Sequence, residues 1–361
     1  MKIVVFSGGA GTRMWPMSRA AMPKQFQPLV GKTSMFQQML ERLARGFDTE
    51  DIYVVTGADY VGLVKKQAPS LPTENIIGEP QMRDTLAAVS FACAYLSAKF
   101  PNETMAAIWG ADHLVKEEKT FIKALKAAEK LAKKEGVIAK VDVHPVFPSV
   151  HLGYIEIGER RAKIDSFEVF EFIRHVEKPN LSTAEKFLES GKYLWNTGYF
   201  VWELSKIMAL FKKHLPEIYK SLKKIQLSLG TPKEKEVVAE EYQKIPRNSF
   251  DYAFLEKLGP GDQLEIPAVL GWTDIGAWNT LKDELAESEV HNVVRGEHIG
   301  INSEDLLVFG PEKGKLIATV GLKGMIIVDT PDALLICPKE RSQDVKKIVQ
   351  ELRERRKHKY L

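Results

Sequence analysis

The clearest chemical pattern in this chain is a glycine-rich loop near the N-terminus, followed by basic residues. We call its members Gly8, Gly9, Gly11, Thr12 and Arg13 the phosphate loop. Glycines let a backbone turn tightly and bring its N–H groups close to an anion. Arg13 and, further on, Lys24 add positive charge suited to phosphate oxygens. The pattern indicates a cradle for a nucleotide triphosphate, with an ordinary strand-to-helix loop as the alternative.

Two familiar phosphate motifs do not fit this loop. A dinucleotide fingerprint runs G-x-G-x-x-G directly into a helix, but here Pro16 and Pro23 interrupt any early helix. Gly31-Lys32-Thr33 supplies the end of a P-loop, yet Phe26 occupies the position of its first glycine. The sequence therefore predicts a third kind of phosphate loop, with the first helix only after Lys32.

Two aspartates follow predicted buried strands. Asp112 comes after the strand predicted at residues 105–109, and Asp274 lies in a turn after the strand predicted at residues 263–270. Mg²⁺ takes one or two carboxylates together with substrate phosphates, so the two side chains could converge on one magnesium ion. The alternative for either residue alone is a turn former or helix N-cap.

Glu79 is a candidate for recognising the base. One carboxylate accepts the N1–H and N2–H₂ donors of guanine together, which adenine cannot offer. Arg83, Asp84 and Thr85 follow at the predicted start of a helix, where they could equally serve as its cap.

A sugar phosphate is suggested by residues in the middle of the chain. Lys178 precedes Pro179, which we predict to hold the lysine in an extended conformation. Asn196 lies among aromatic residues, where rings stack on a sugar face and an amide binds its hydroxyls, and Gly153 would let the backbone approach the ring. The alternatives are a surface lysine and an asparagine satisfied by its own turn.

The elements that must position these residues alternate between strands and helices. Strands are predicted at residues 3–6, 51–56, 75–79 and 105–109, with helices between them. This alternation predicts an α/β fold with a Rossmann-like, mixed and mainly parallel sheet flanked by helices, and ligands at the carboxyl ends of its strands. Further along, residues 193–202 are predicted to form one aromatic strand.

The C-terminal region differs in pattern from the rest. Beyond about residue 289, short apolar runs are separated by Gly, Asn, Asp and Pro, which suggests a hairpin sheet or a few coils of a parallel β-helix. Residues 342–357 are predicted to form an amphipathic terminal helix. We therefore expect a catalytic domain over residues 1–287 and a small β domain over residues 288–361.

Composition excludes several classes of protein. The net charge of +3 does not argue for a nucleic-acid or membrane partner. The two cysteines, Cys93 and Cys337, stand in apolar surroundings and are expected to be core residues. No signal peptide or membrane span is evident, so a cytoplasmic location is the default expectation.

Eight segments together resemble the mannose-1-phosphate guanylyltransferase family, within the sugar-phosphate nucleotidyltransferases. In chain order they are GGAGTRMWP with PKQF, EPQMRDT, ADH, GYI, EKP, WNTGYF, DYAFLEK and GWTDIGAW. The pattern departs from the family at His151-Leu152, where a Gly-aromatic pair is usual, and at Gly110, where Pro is common. The resemblance implies a C-terminal domain like a left-handed β-helix that helps to form a homodimer. A second, isomerase activity is not expected.

The resemblance also implies roles for residues. The phosphate loop would cradle the phosphates of GTP, Lys24 would meet the reacting phosphate, and Asp112 and Asp274 would hold Mg²⁺. Glu79 and the residues Arg83, Asp84 and Thr85 would lie near the guanine. Gly153, Glu177 and Asn196 would contact mannose, and Lys178 would contact the phosphate of mannose 1-phosphate. The implied reaction forms GDP-mannose and pyrophosphate.

Two other functions remain open at the level of sequence. The first is another sugar-1-phosphate nucleotidyltransferase, of the dTDP- or ADP-glucose type. The second is a non-catalytic subunit that senses sugar nucleotides on the same fold. Retention of Lys24, Asp112, Lys178 and Asp274 argues against the sensor, since a sensor need not keep metal ligands.

Overall fold

The computed structural model describes residues 1–9, 11–311 and 314–361, so Ala10 of the glycine-rich segment lies outside the described residues. The chain forms two compact units. Unit 1 comprises Met1–Gly8, Leu40–Ala111 and Val115–Trp272, and unit 2 comprises Gly9–Met39, Asp112–Leu114 and Thr273–Leu361. Each unit is therefore built from separate segments of the sequence.

Strands and helices alternate over most of the chain. The strands are β1 (Lys2–Phe6), β2 (Ile52–Gly57), β3 (Ile76–Glu79), β4 (Thr104–Ile108), β5 (His113–Val115), β6 (Ile138–Asp142), β7 (Tyr154–Ile164), β8 (Phe167–Val176), β9 (Tyr193–Trp195), β10 (Tyr199–Glu203), β11 (Gln263–Pro267), β12 (Trp272–Asp274), β13 (Val293–Arg295), β14 (Glu297–Ile301), β15 (Leu307–Phe309), β16 (Leu316–Val320), β17 (Met325–Asp329) and β18 (Leu334–Pro338). The α-helices are α1 (Met35–Ala44), α2 (Val61–Gln67), α3 (Asp84–Lys99), α4 (Glu118–Glu135), α5 (Leu181–Ser190), α6 (Leu204–His214), α7 (Pro216–Ser228), α8 (Glu234–Tyr242), α9 (Phe250–Ala253), α10 (Trp278–Leu285) and α11 (Val345–Glu354).

Unit 1 is organised on a 10-stranded mixed sheet with the strand order β3-β2-β1-β4-β10-β6-β11-β8-β7-β9. Strands β3, β2, β1 and β4 are parallel, and β10 pairs antiparallel with β4. Strand β4 is buried at every position, as its continuous apolar sequence requires. The carboxyl ends of β1 and β3 lead to Gly8 and Glu79 at the same edge of the sheet.

One apolar core links this sheet to helices of unit 1. It includes Phe91 of α3, Trp202 of β10, Phe211 of α6 and Leu222 of α7. Helix α3 is apolar nearly all round, because its alanines and larger apolar residues are buried on most of its faces. The helix is thus a packed element of the core from Leu86 onward.

Unit 2 carries the C-terminal β structure. Strands β13, β15 and β17 run parallel, with Val293 paired to Leu307 and Leu307 to Ile326. Strands β14 and β16 form a second parallel pair, and β18 pairs with β17 in antiparallel orientation. The predicted α/β class, with a mixed sheet, flanking helices, a C-terminal β domain and a terminal helix, is confirmed.

The prediction of one strand over residues 193–202 is wrong. The segment forms β9, which pairs with β7, and β10, which pairs with β4 and β6. The backbone turns at Gly198, whose φ of 75° favours glycine. The backbone N–H of Thr197 donates to Asp142 Oδ1 at 2.9 Å, which fixes the turn. Asn196 therefore lies at the end of a strand and not within one.

Candidate active site

Lys24 and two aspartates form a compact charged cluster in unit 2, which we call the Lys24 cluster. The ammonium of Lys24 lies 2.7 Å from Asp112 Oδ2 and 3.7 Å from Asp274 Oδ1. It also donates to the backbone carbonyl of Ile275 at 2.8 Å. The structure thus brings together three residues that the sequence selected separately.

The backbone of the phosphate loop is fitted to the Lys24 side chain. Gly11 has a φ of 57°, and a Cβ there would lie 2.7 Å from Lys24 Cβ and Cγ. Any other residue would meet both backbone strain and a steric clash. Thr12 begins a 3-10 turn directly after Gly11, and this turn carries Arg13. Glycine at position 11 therefore lets the lysine stem pass beneath the loop.

Charge pairing decides the protonation of the Lys24 cluster. Burial lowers the pKa of Lys24, but the carboxylates of Asp112 and Asp274 outweigh it, so the pKa is raised overall. Burial likewise favours the neutral form of Asp274, yet Lys24, His113 and Arg13 together hold its pKa below the ordinary value. The lysine is charged and Asp274 is ionised at neutral pH.

The same aspartates offer ligand atoms to a cation. Ligand atoms of Asp112, His113 and Asp274 lie within 4.8 Å of one another. Carboxylate oxygens are the donors that Mg²⁺ prefers, and an added imidazole suits several other divalent ions. The donor set therefore fits a divalent cation.

Arg13 lies near the Lys24 cluster with a partner from the C-terminal region. Its Nη1 donates to Gln343 Oε1 at 3.1 Å. Its two terminal nitrogens would lie 3.4 and 3.5 Å from a Cβ at Gly276, so glycine leaves room for the guanidinium. Gly9 has a φ of 96°, in the region that favours glycine. The loop therefore presents the positive charge of Arg13 next to backbone in a conformation that favours glycine.

Glu79 is a buried carboxylate in unit 1. Its exposed fraction is 4%, and Tyr242 Oη donates a hydrogen bond to its Oε2. Burial raises the pKa of Glu79 to about 7, although the bond from Tyr242 opposes the shift. A Cβ at Gly8 would lie 3.9 Å from Glu79 Oε1, so the first residue of the phosphate loop is next to this carboxylate.

Arg83, Asp84 and Thr85 all have local structural partners. Arg83 Nε donates to the carbonyl of Ile245 at 2.8 Å, and Thr85 Oγ1 accepts from the backbone N–H of Phe250 at 2.8 Å. Asp84 has a φ of 69°, and its Oδ1 accepts from the N–H of Thr85. These bonds hold the backbone at the start of α3, although the side chain of the N-cap residue Arg83 makes no capping hydrogen bond to the helix.

A second cluster in unit 1 surrounds the buried His175, and we call it the His175 cluster. Asn196 Nδ2 lies 3.3 Å from His175 Nε2 and donates to Asp251 Oδ1 at 3.0 Å. Glu177 Oε2 lies 3.6 Å from the same imidazole nitrogen. A Cβ at Gly153 would collide with Glu177 and lie 2.9 Å from His175, so the glycine backbone covers the cluster.

Burial controls the charge of this cluster too. It lowers the pKa of His175 to about 3, with help from Lys140 and Lys178, so the imidazole is neutral. It raises the pKa of Asp251 to about 6, and the nearby Glu177 adds to the shift. Ligand atoms of His175, Glu177 and Asp251 lie within 4.8 Å of one another, a spacing that suits a metal ion. The cluster presents mainly hydrogen-bond acceptors, which suit hydroxyl donors.

The expectation of an extended Lys178 is wrong. Its φ is 47°, in the left-handed region. A following proline disfavours the right-handed helical conformation, which leaves the left-handed region open as well as the extended one. In this conformation the ammonium of Lys178 pairs with Glu177, and a 57% exposed side chain remains at the surface.

Sequence reasoning did not single out Tyr242, His175 or Asp251. His175 lies in strand β8, where the buried positions Phe167, Val169, Phe172 and His175 do not keep a period of two, so alternation does not mark it. Asp251 lies within the DYAFLEK segment that was used for the resemblance. Nothing local in the sequence marks Tyr242, because its role depends on contact with the distant Glu79.

The comparison with known families agrees with this geometry. Residues 2–289 match the family described as nucleotidyl transferase. The chain belongs to the nucleotidyl transferase family. It is accordingly an enzyme that transfers a nucleotidyl group, with a nucleoside triphosphate as donor. Residues 296–352 match a second domain family, the MannoseP isomerase/GMP-like beta-helix domain, which agrees with the parallel coils of unit 2.

Individual relatives of this nucleotidyl transferase extend over its whole length. A mannose-1-phosphate guanylyltransferase of Escherichia coli K12 is 34% identical over 361 residues, covering 99% of this chain and 74% of the relative. The alginate biosynthesis protein AlgA of Pseudomonas aeruginosa is 33% identical over 359 residues, covering 97% and 71%. The crystal structure described as mannose-1-phosphate geranyltransferase from Thermus thermophilus has a TM-score of 0.86 at 28% identity, covering 98% and 99%.

Among the described residues, no helix combines the length and apolar composition needed to cross a bilayer.

Proposed function

We propose that the enzyme is a mannose-1-phosphate guanylyltransferase that converts GTP and α-D-mannose 1-phosphate into GDP-mannose and pyrophosphate. The observation that carries the proposal is the Lys24 cluster, in which a buried ammonium lies against Asp112 and Asp274. Its support is the 34% identity to the Escherichia coli enzyme over the whole chain.

The phosphates of GTP would bind to the phosphate loop and to Lys24. Gly8, Gly9, Gly11 and Thr12 would offer backbone N–H groups, and Arg13 would hold the departing pyrophosphate. Lys24 would lie at the α-phosphate, where its charge stabilises the transition state. All of these residues except Gly8 belong to unit 2.

We assign Asp112 and Asp274 as the ligands of Mg²⁺. When bound, the ion would offset the charge of the phosphates and act as a Lewis acid on their oxygens. The two carboxylates also hold the ammonium of Lys24, so they orient the lysine as well. Because of this double use, we expect replacement of either aspartate by an uncharged residue to lower activity.

Recognition of guanine would fall to Glu79. Its two oxygens accept from guanine N1–H and N2–H₂ when the carboxyl is ionised. Tyr242 holds one oxygen by a hydrogen bond. Arg83, Asp84 and Thr85 would place the start of α3 near the base, with their structural bonds keeping that backbone in place.

Mannose 1-phosphate would bind at the His175 cluster. Glu177, Asn196 and the backbone of Gly153 would contact the sugar, and Lys178 would bind its phosphate. We add Asp251 to this set, because it shares the Asn196 amide and offers a further acceptor for a sugar hydroxyl.

The reaction needs no nucleophilic side chain. A phosphate oxygen of mannose 1-phosphate, already anionic at neutral pH, attacks the α-phosphorus of GTP. The bond from that phosphorus to the bridging oxygen of the β-phosphate breaks, and pyrophosphate leaves with the electron pair. Bringing two polyanions together is the main barrier, and Arg13, Lys24 and Lys178 supply the opposing charge.

We further propose the domain division into residues 1–287 and 288–361, with a homodimer formed through the C-terminal domain. The homodimer is supported by a row of exposed apolar side chains on β14 and β16. These include Ile299, Ile301, Leu316 and Val320, which are 52% to 70% exposed. Light scattering on the purified protein tests the assembly. The expected cytoplasmic location stays a prediction.

The test of the function is a matrix of assays on the purified enzyme. Pyrophosphate release is measured for GTP, ATP and dTTP, each with mannose 1-phosphate and glucose 1-phosphate, and the sugar nucleotide is identified by mass. We expect the highest kcat/KM for GTP with mannose 1-phosphate. A preference for dTTP or ATP with glucose 1-phosphate would favour the other sugar nucleotidyltransferase, and absence of pyrophosphate in every combination would favour the sensor.

A further inference from the structure

The side chain of Gln343 connects the C-terminal region to the phosphate loop. Gln343 lies in the 3-10 segment Lys339–Asp344, directly before α11. Its Oε1 accepts the hydrogen bond from Arg13 Nη1 at 3.1 Å. Both residues belong to unit 2, although they are far apart in the sequence.

The residues next to Gln343 in the sequence are packed and hydrogen-bonded, which fixes the position of Gln343. The neighbouring Ser342 is 1% exposed, and its Oγ donates to Asn279 Oδ1 of α10 at 2.6 Å. On the following helix, Val345 and Val349 are buried in an apolar cluster that also contains Met14, the residue after Arg13. Gln343 is thus placed by its neighbours on both sides.

The loop beyond Arg13 is attached to the same region by further bonds. Trp15 Nε1 donates to the backbone carbonyl of Tyr360 at 2.8 Å. Arg19 donates to the same carbonyl and, through Nη2, to Asp332 at 2.8 Å. The residues that follow the turn carrying Arg13 are therefore held in position by the C-terminal region.

The chemical type of Gln343 matters as much as its position. An amide oxygen accepts from a guanidinium and fixes its direction while leaving its full charge available. A carboxylate at the same place would form an ion pair and reduce the attraction of Arg13 for phosphate. The neutral acceptor suits a guanidinium that must bind an anion.

We propose that Gln343 is a positioning residue that orients Arg13 toward the triphosphate. The segment Lys339–Asp344, which carries Gln343, therefore contributes to the nucleotide site. This inference rests on the proposed function, since it takes Arg13 to bind phosphates of the nucleotide.

The test compares Gln343→Ala and Gln343→Glu with the matched control Gln350→Ala. Gln350 lies exposed on α11, and its Nε2 donates to Glu354 Oε1 of the same helix at 2.8 Å. We expect Gln343→Ala to lower kcat/KM for GTP about 10-fold, since a hydrogen bond to a charged group is lost. Gln343→Glu should lower kcat/KM for GTP further, although the glutamate side chain still accepts a hydrogen bond. The KM for mannose 1-phosphate and the melting temperature should change little, and Gln350→Ala should behave as wild type.

A double-mutant cycle with Arg13→Ala separates positioning from a general effect on the fold. In the Arg13→Ala background, both Gln343 substitutions should have no further effect on GTP. The proposal is overturned if Gln343→Glu matches wild type toward GTP, or if the Gln343 effects persist without Arg13. Calorimetric binding of magnesium–GTP without sugar phosphate gives the same comparison even if the wild-type enzyme makes no GDP-mannose, so failure of the proposed function is recognised separately.

Discussion

The ionisation of Glu79 should make GTP binding depend on pH. Substitution of Glu79 should abolish this dependence. Burial raises the pKa of this carboxyl from 4.5 to about 7. Only the ionised carboxylate accepts both guanine donors, so binding must remove the proton from the neutral form. At pH 6, about a tenth of the free enzyme has an ionised Glu79, and the apparent affinity for GTP should be about 10-fold lower than at pH 8.

The substitution Glu79→Gln gives the comparison. Its amide presents one acceptor and one donor, and the donor opposes a guanine N–H. We expect affinity for GTP at pH 8 to fall by about 10- to 100-fold, and affinity for ATP to stay the same or to rise. The variant should also lose the additional pH dependence between pH 6 and pH 8.

Isothermal titration calorimetry measures both effects with magnesium–GTP and no sugar phosphate. The phosphates of GTP titrate in the same pH range, but they do so equally with wild type and variant, so the difference between the two profiles reports Glu79. Titration in buffers of different ionisation enthalpy should show proton release on binding to wild type near pH 6.5. Parallel pH profiles for the two proteins, or unchanged preference for GTP over ATP, would refute the assignment.

The same pKa shift predicts a change in stability without ligand. Because the folded pKa of Glu79 is raised, the folded state binds more protons than the unfolded state between pH 4.5 and pH 7. The contribution of Glu79 to the free energy of unfolding is therefore most favourable below pH 4.5. It declines by about 3 kcal/mol as the pH rises to 7. Denaturant unfolding of Glu79→Gln should lack this decline, and the variant should be more stable than wild type at pH 8.

Four further substitutions test the remaining assignments. Asp112→Ala and Asp274→Ala should each lower pyrophosphate release by about 10²-fold or more with the circular dichroism spectrum preserved, and near-normal turnover in both would remove the metal assignment. Tyr242→Phe deletes the donor that favours ionised Glu79, so the pH midpoint of GTP binding should move upward; an unchanged midpoint would contradict this. Gly153→Ala places a Cβ in the His175 cluster, so kcat/KM for mannose 1-phosphate should fall while GTP binding without sugar phosphate is unaffected.

Local sequence was sufficient for the fold class and for the choice of the charged residues. Continuous apolar runs between helical segments predicted the parallel strands, because strands buried on both faces need apolar side chains throughout. The glycines before Arg13 predicted the phosphate loop, because glycine adopts a left-handed conformation such as that of Gly11 without the strain that other residues meet. Lys24 was selected for its positive charge downstream of the glycines, and Asp112 and Asp274 were selected for their charge and their places after predicted strands.

Long-range contacts determined the properties that matter for chemistry. The sequence does not show that Lys24 lies between two carboxylates, that Tyr242 bonds to Glu79, or that Gln343 bonds to Arg13. Each contact joins segments that only the folded chain brings together. The raised pKa of Glu79 follows from burial, which depends on everything packed around the side chain. For the same reason sequence patterns missed the turn at Asn196, whose position is set by strand pairing and by Asp142.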